Sequence, residues 1–379
     1  MKILVATLMI GLLIGCGGGS KGDQTSGGSS WTLFRGDAGL SGYSDTRLPD
    51  KPALLWTYKS GERTLSSPLI YQGTAYWSDR RGRIYGIDAT GQMTFDYDFA
   101  TAVEATPMIS DSVLYLGRID GFISALSLKG DLLWSFETMG QISASPNIGL
   151  YRGRDALVVG SYDNFLYCLD KNSGEELSRF ESGYYINGAV AVQKNFFFSG
   201  GCDAWLRILD GETGRVSDSI MLDTYIPASP AIDGNSCYIA DHSGNVYAIE
   251  LEAGKIRSSR KIVEASSESA SFVSVPAISA STLYILSDDR YLYAVNRKTG
   301  SVSWKFLQKG ISGESSPLVC RDKLICCSKS GVVSIVDARD GSLLWEFDTG
   351  EPIVASPAVV AGRFYILTAK GTLFCFGTS

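Results

Sequence analysis

Side chains able to do chemistry are few in this chain and widely spaced. Glu104 in "VEATP" and Glu314 in "GESSP" each stand three residues before a proline, and Asn187 takes the matching position of a related segment. Oxygen-bearing groups at one repeated position could line a channel mouth and hold a hard cation, which needs several such ligands. The competing reading is a solvated rim. The other equivalent positions are Leu65, Ser143, Pro227, Val273 and Val354, and no general base completes the set. Cys326 and Cys327 are adjacent within "KLICCSKSG". Neighbours on a strand point to opposite faces, so they read as two independent strand cysteines. His242, the single histidine, lies in "DHSGN" and reads as a turn residue. One histidine rules out a histidine-rich metal site. With no CxxC pair, a zinc or redox centre has no support. No catalytic residue and no metal ligand is assigned.

These residues hang on a repeat. Pro68, Pro107, Pro146, Pro230, Pro276, Pro317 and Pro357 anchor seven blocks, Val190 takes the proline position in another, and successive anchors fall 39 to 46 residues apart. Each block breaks into about four short runs bounded by Gly, Asp or Asn. In the first these are "SSPLIYQ", "TAYWSD", "RIYGID" and "QMTFDYDF". Short alternating runs between turn residues are antiparallel strands, and four per unit at this period predict an all-β, eight-bladed β-propeller over residues 31–379. The last block ends without a fourth run. "LLWTYKS" (Leu54–Ser60) resembles the other fourth runs and is expected to pair with Thr372–Phe376, closing the ring. Trp56, Phe95, Trp134, Trp304 and Trp345 share one position in the fourth runs and read as apolar plugs between blades. Ser178, Asp218 and Ser258 stand there in the third to fifth blocks, so those blades should pack differently.

Residues 1–15 have the pattern of a secretory leader. Lys2 precedes a twelve-residue, mostly apolar run from Ile3 to Ile14, too short to span a bilayer. Residues 16–30 are rich in Gly and Ser and read as a flexible tether. "LIGC" resembles the bacterial lipobox, which implies lipidation of Cys16 and attachment to the cell envelope, the outer membrane on its periplasmic side being favoured by Gly17 after the cysteine. The net charge of −6, from 34 basic and 40 acidic residues, argues against nucleic-acid binding, which needs a basic stripe.

"ALSLKGDLLW", "AVNRKTGSVSW" and "IVDARDGSLLW" resemble the repeat of pyrroloquinoline-quinone (PQQ) propellers, and "WTLFRGDAGLSG" resembles the start of many PQQ-like proteins. Two branches of that superfamily are relevant. BamB-like lipoproteins, closer in size, lipobox and blade count, imply a non-enzymatic periplasmic scaffold that contacts the outer-membrane β-barrel assembly machinery and needs no cofactor. Quinoprotein dehydrogenases, the alternative, imply PQQ with calcium on the axis. For a protein partner, aromatics in loops are typical contact residues. "SGYYINGA" supplies Tyr184, Tyr185 and Asn187, "MLDTYIPA" supplies Tyr225 and Ile226, and "SSESASFV" supplies Phe272, all expected on one face of adjacent blades. Loop packing is the competing reading.

Overall fold

Strands in this chain are short because turn residues interrupt every run, and each strand has one apolar face to bury against a neighbouring sheet. The computed structural model describes residues 30–264, 272 and 274–378 and contains 33 strands and, among the described residues, no helix. They form eight four-stranded antiparallel sheets arranged in a ring. Blade 1 is a simple meander of Leu69–Tyr71, Thr74–Ser78, Arg83–Ile87 and Met93–Asp98, from the axis outward. Blades 2 to 7 repeat it. In blade 8 the outer strand is Ala53–Lys59, paired with Thr372–Gly377 so that Leu54 faces Phe376 and Lys59 faces Thr372. The predicted closure by the N-terminal strand is therefore what the chain does.

Every blade carries a register shift between its third and outer strands, just before the plug position. Such bulges bend and twist a strand, and here they precede the residue that docks on the next blade. The Trp56, Trp134 and Trp304 indoles donate to the Ala89, Lys171 and Ala338 carbonyls of the following blade at 3.0, 3.1 and 3.3 Å. Each ring lies on a turn glycine. A Cβ at Gly174, whose φ is +74°, would stand 2.6 Å from the Trp134 ring, so both the left-handed backbone and the contact call for glycine. Trp345 packs edge-on against Phe364 and Phe376 of blade 8, and Phe95 joins Leu114 and Leu126 of blade 2. The three blades without an aromatic plug fill the gap from other positions. Tyr151, Phe196 and Ile262 cover Gly214, Gly254 and Gly300.

The inner strands are shorter than predicted, three residues in most blades, because the serines before the anchors do not join the ladder. In six blades the amide of the residue before the anchor donates to a hydroxyl of the next blade. Ser67 reaches Thr106 (2.8 Å), Thr106 reaches Ser145 (3.1 Å), Ala189 reaches Ser229 (2.8 Å), Val275 reaches Ser316 (2.9 Å), Ser316 reaches Ser356 (3.1 Å), and Ser356 returns to Ser67 (2.9 Å). This ring of bonds runs around the axis with two gaps. They fall where Ala189 and Val275 offer no hydroxyl to the preceding blade.

A second axial device was not foreseen. Residues 31–44 wind across the inner edges, and their carbonyls accept amides two residues past the anchors. Ile70 donates to Trp31, Ile109 to Thr32, Val192 to Ala38 and Ile232 to Gly39, each at 2.7 Å. Ile278 donates to Ser41 and Val319 to Gly42, each at 2.9 Å. In blade 3 the Asn147 amide group reaches the Ala38 carbonyl instead, at 2.9 Å. Tyr43–Ser44 then runs parallel to Leu318–Cys320 as a fifth strand of blade 7. Within the segment Arg35 is buried and donates to the Pro317 and Pro276 carbonyls at 2.5 and 2.9 Å. Burial lowers its pKa, and nearby Asp37 partly offsets this.

Filling one gap in the hydroxyl ring should add a bond. Val275→Thr, nearly equal in volume, is expected to stabilise the fold by up to about 1 kcal/mol, whereas Ser356→Ala, which leaves the Ser316 amide unpaired, should destabilise it by about 1–2 kcal/mol. Thermal and urea unfolding of the two variants against the parent would show opposite shifts.

Candidate interaction face and channel mouth

The upper face of the wheel carries the outer-to-inner connections together with the turns between second and third strands. Backbone hydrogen bonds fasten these loops to one another across blades. His242 donates to the Tyr225 carbonyl (3.0 Å), Cys202 to Tyr185 (3.2 Å), Ile186 to Ser161 (3.2 Å) and Ile226 to Gly201 (3.2 Å). The Asp203 carboxylate accepts the Gly183 amide at 3.0 Å and pairs with Arg207 at 2.5 Å. These loops are thus built on fixed supports.

Tyrosines project from this framework. Tyr162 stacks on Tyr185 with centroids 5.0 Å apart, and Tyr184 leans on Tyr185 at 4.4 Å. Tyr225 stacks on His242 at 4.3 Å, with the rings 20° apart. Tyr184, Tyr185 and Tyr225 are 49, 38 and 40% exposed, so blades 4 and 5 present aromatic rings to solvent, as expected. Met139 and Ile311 stand out on other loops of this face.

Two of the expected contact residues do not belong to that surface. Ile226 and Phe272 are buried, at 1 and 2% exposure. Both lie four residues before their anchors, the slot that also holds Val103, Ile142, Ile186 and Ile353, all buried. Apolar side chains there pin the incoming loop to the blade beneath. Ile226 packs over Gly200, and Phe272 meets Tyr293 edge-on. The apolar entries of that slot recur in the sequence and could have revealed this.

The polar set at the channel mouth is not gathered into one cluster. Glu104, Asn187 and Glu314 sit on blades 2, 4 and 7 with no hydrogen bond among them. Glu104 instead pairs with Arg80 at 2.7 Å, and Glu314 is exposed. The Asn187 side-chain oxygen is buried without a partner. Among the described residues no three His, Cys, Asp or Glu side chains lie close enough to hold a metal ion. Asp288, on the same face, has its pKa raised by burial, with His242 acting the other way.

Cys326 and Cys327 are both free and buried, and they enter different core clusters on opposite sides of their sheet. Cys326 donates to the Gln308 side-chain oxygen at 3.1 Å. Burial raises both thiols, Cys327 to about 12. His242 is a turn residue, as read from the sequence. Cys16, the leader and the tether up to residue 29 lie outside the described residues, as do residues 265–271 and 273.

The family model described as "Outer membrane protein assembly factor BamB" matches residues 23–162, 130–271 and 265–379, nearly the whole chain. The chain belongs to the BamB family. BamB of Shewanella oneidensis is 22% identical over 346 residues, covering 81% of this chain and 83% of that protein. The crystal structure of BamB from Moraxella catarrhalis superposes with a TM-score of 0.72 at 19% identity, over 87% of this chain and 98% of that one. A europium-containing methanol dehydrogenase superposes at 0.79 with 12% identity, over 94% and 99% of the two chains. Likeness at such identities establishes a shared eight-bladed wheel, and BamB members and dehydrogenases have it in common.

Separating anchor from contact residue gives a clear expectation. Ile226→Ala should cost about 2–4 kcal/mol of stability by opening a cavity, whereas Tyr225→Ser, on a half-exposed ring, should leave the melting temperature nearly unchanged. Differential scanning fluorimetry of both variants reads the difference.

Proposed function

We propose that this BamB-family propeller is a non-catalytic scaffold in outer-membrane β-barrel assembly, held at the periplasmic side of the outer membrane by a lipid on Cys16. The observation that carries the reading is the near full-length family match on an intact eight-bladed ring. In this reading Tyr184, Tyr185 and Tyr225 form the centre of the protein-contact surface. Large rings held by backbone bonds lose little entropy on binding, and aromatic residues dominate interface energetics.

The PQQ-dependent alternative does not fit the residues present. Calcium and the quinone call for a convergent set of hard oxygen ligands and a carboxylate base. Glu104 is engaged by Arg80, Glu314 faces solvent, and the adjacent cysteines belong to separate cores. The chain is accordingly expected to work without a cofactor.

Joint replacement of Tyr184, Tyr185 and Tyr225 by serine should weaken capture of the assembly machinery's periplasmic domains at least tenfold, equivalent to more than about 1.4 kcal/mol, with the fold retained. Unchanged capture would remove the face from consideration. Separately, Cys16→Ala should move the protein from the membrane pellet to the soluble periplasmic fraction, and continued sedimentation with membranes would count against the lipid anchor.

A further inference from the structure

On the lower face, neighbouring blades meet along crevices, and a long cation fills two of them. The residue just after the third strand projects toward the preceding blade. Between blades 2 and 3 it is Lys171, whose ammonium bridges Asp111 and Asp155 at 2.8 and 2.9 Å. Between blades 5 and 6 it is Arg297, which pairs with Asp233 at 2.7 Å, donates to the Tyr238 hydroxyl at 2.8 Å and to the Ser279 carbonyl at 2.8 Å, and covers the Tyr238 ring. Both long side chains are almost wholly buried, at 11 and 12% exposure.

Between blades 6 and 7 that residue is Ala338. A second filler is missing as well. The residue before the docking tryptophan is Leu55, Leu133 or Leu344 elsewhere and Ser303 here. The result is a groove of about 530 Å³, within the size range of small-molecule sites. Trp304 and Tyr284 supply its aromatic part, and Ser281, Ser303, Arg321, Asp322 and Arg339 its polar part. The aromatic pair is fixed in place. The Tyr284 hydroxyl and the Trp304 indole both donate to the Ala338 carbonyl, at 3.1 and 3.3 Å.

Charge in the groove is balanced. Arg339 is bound twice by Asp337, Arg321 donates to the Asp45 carbonyl at 2.5 Å, and Asp322 offers a carboxylate beside them. An isolated anion or cation therefore gains little there. An apolar ligand would strand the hydroxyls and guanidinium groups. A ligand with one flat C–H face and a perimeter of groups that both donate and accept satisfies both parts of the wall. We propose that this groove is a binding site for a sugar ring of an uncharged glycan, stacked against Trp304, which buried Tyr284 backs, and hydrogen-bonded by Arg321, Asp322 and the serines. The site is on the face opposite the tyrosines and stands independently of the partner reading.

The test titrates the full chain with N-acetylglucosamine tetramer and with maltotetraose, with a glutamate tetrapeptide as the acidic control. Binding is followed by the indole N–H resonance of Trp304, assigned through Trp304→Phe, and by calorimetry. At least one saccharide is expected to shift that resonance and saturate with a Kd of about 1 mM, a scale suited to a few contacts. Ala338→Lys and Ser303→Leu, which restore the fillers found in other crevices, should abolish the shift while keeping or raising the melting temperature. If one of them fails to fold, the other carries the control. Absence of any shift with both saccharides at about 20 mM, roughly twenty times the Kd expected, overturns the proposal. So does an equal shift in the filled variants, or a response to the acidic peptide alone.

Discussion

The pairing of Ala53–Lys59 with Thr372–Gly377 is the constraint on which the wheel depends. A propeller blade cannot bury both of its faces alone, and it gains them only from two neighbours. In an open row, the first and last blades would each expose one apolar face and one unpaired edge. Joining segments more than 300 residues apart, as in the bond from the Ser60 hydroxyl to the Gly371 carbonyl, costs on the order of 5 kcal/mol in loop closure. The strand that does so brings Trp56 onto Gly91 of blade 1 and completes the core shared by Leu318, Phe364, Phe374 and Trp77. The closing strand is thus also a packing element, and the entropic cost is offset by apolar burial at the seam.

Closure alone would leave eight inner edges facing the channel with free amides, and buried donors must find acceptors. The repeat meets this one donor at a time. In six blades the residue before the anchor sends its amide to a hydroxyl of the next blade. The anchor itself is proline in seven blades and has no amide to satisfy. The next residue bonds within its own sheet, and in six blades the one after that donates to the axial segment. Close approach sets the composition of that segment. A Cβ at Gly39 would stand 2.6 Å from the Ile232 carbonyl oxygen, so the residue that serves blade 5 must be glycine. Asn147 shows the same economy from the other side, because its side chain supplies both the donor to Ala38 and the acceptor for the Ile148 amide.

How much of this was legible follows from where the information lies. Blade number, strand order and the closing strand are local patterns repeated at one period, and repetition makes them readable. The plug tryptophans and the independence of Cys326 and Cys327 follow from strand alternation. The axial segment occurs once, and each of its bonds goes to a residue distant in sequence, so no periodicity announces it, although Gly36, Gly39 and Gly42 recur every third residue. The serine ring looked like the first residues of inner strands because small residues before a proline suit either role. Ile226 and Phe272 stand beside aromatic loop residues, and only the same slot in other blocks, filled by Val103, Ile142, Ile186 and Ile353, marks them as buried anchors. The replacement of the missing plugs by Tyr151, Phe196 and Ile262 was hidden for a different reason, since each comes from a different strand of its blade.

A wheel of like sheets presents the same chemistry in every direction, so specificity has to come from departures from the repeat. The departures here are not scattered. Blades 3 to 5 give up the aromatic plug, and blade 4 gives up the proline anchor. The exposed tyrosines lie on the loops leading into blades 4 and 5. On the opposite face, the junction between blades 6 and 7 has an alanine where two other junctions have a cation, and a serine where leucine precedes the other docking tryptophans. Loss of filling at one seam weakens one interface out of eight, which the closing strand, the hydroxyl ring and the axial segment together can carry. The redundancy that holds the ring shut is therefore what allows individual blades to depart from the pattern, and binding surfaces on such a fold are best sought where the repeat fails.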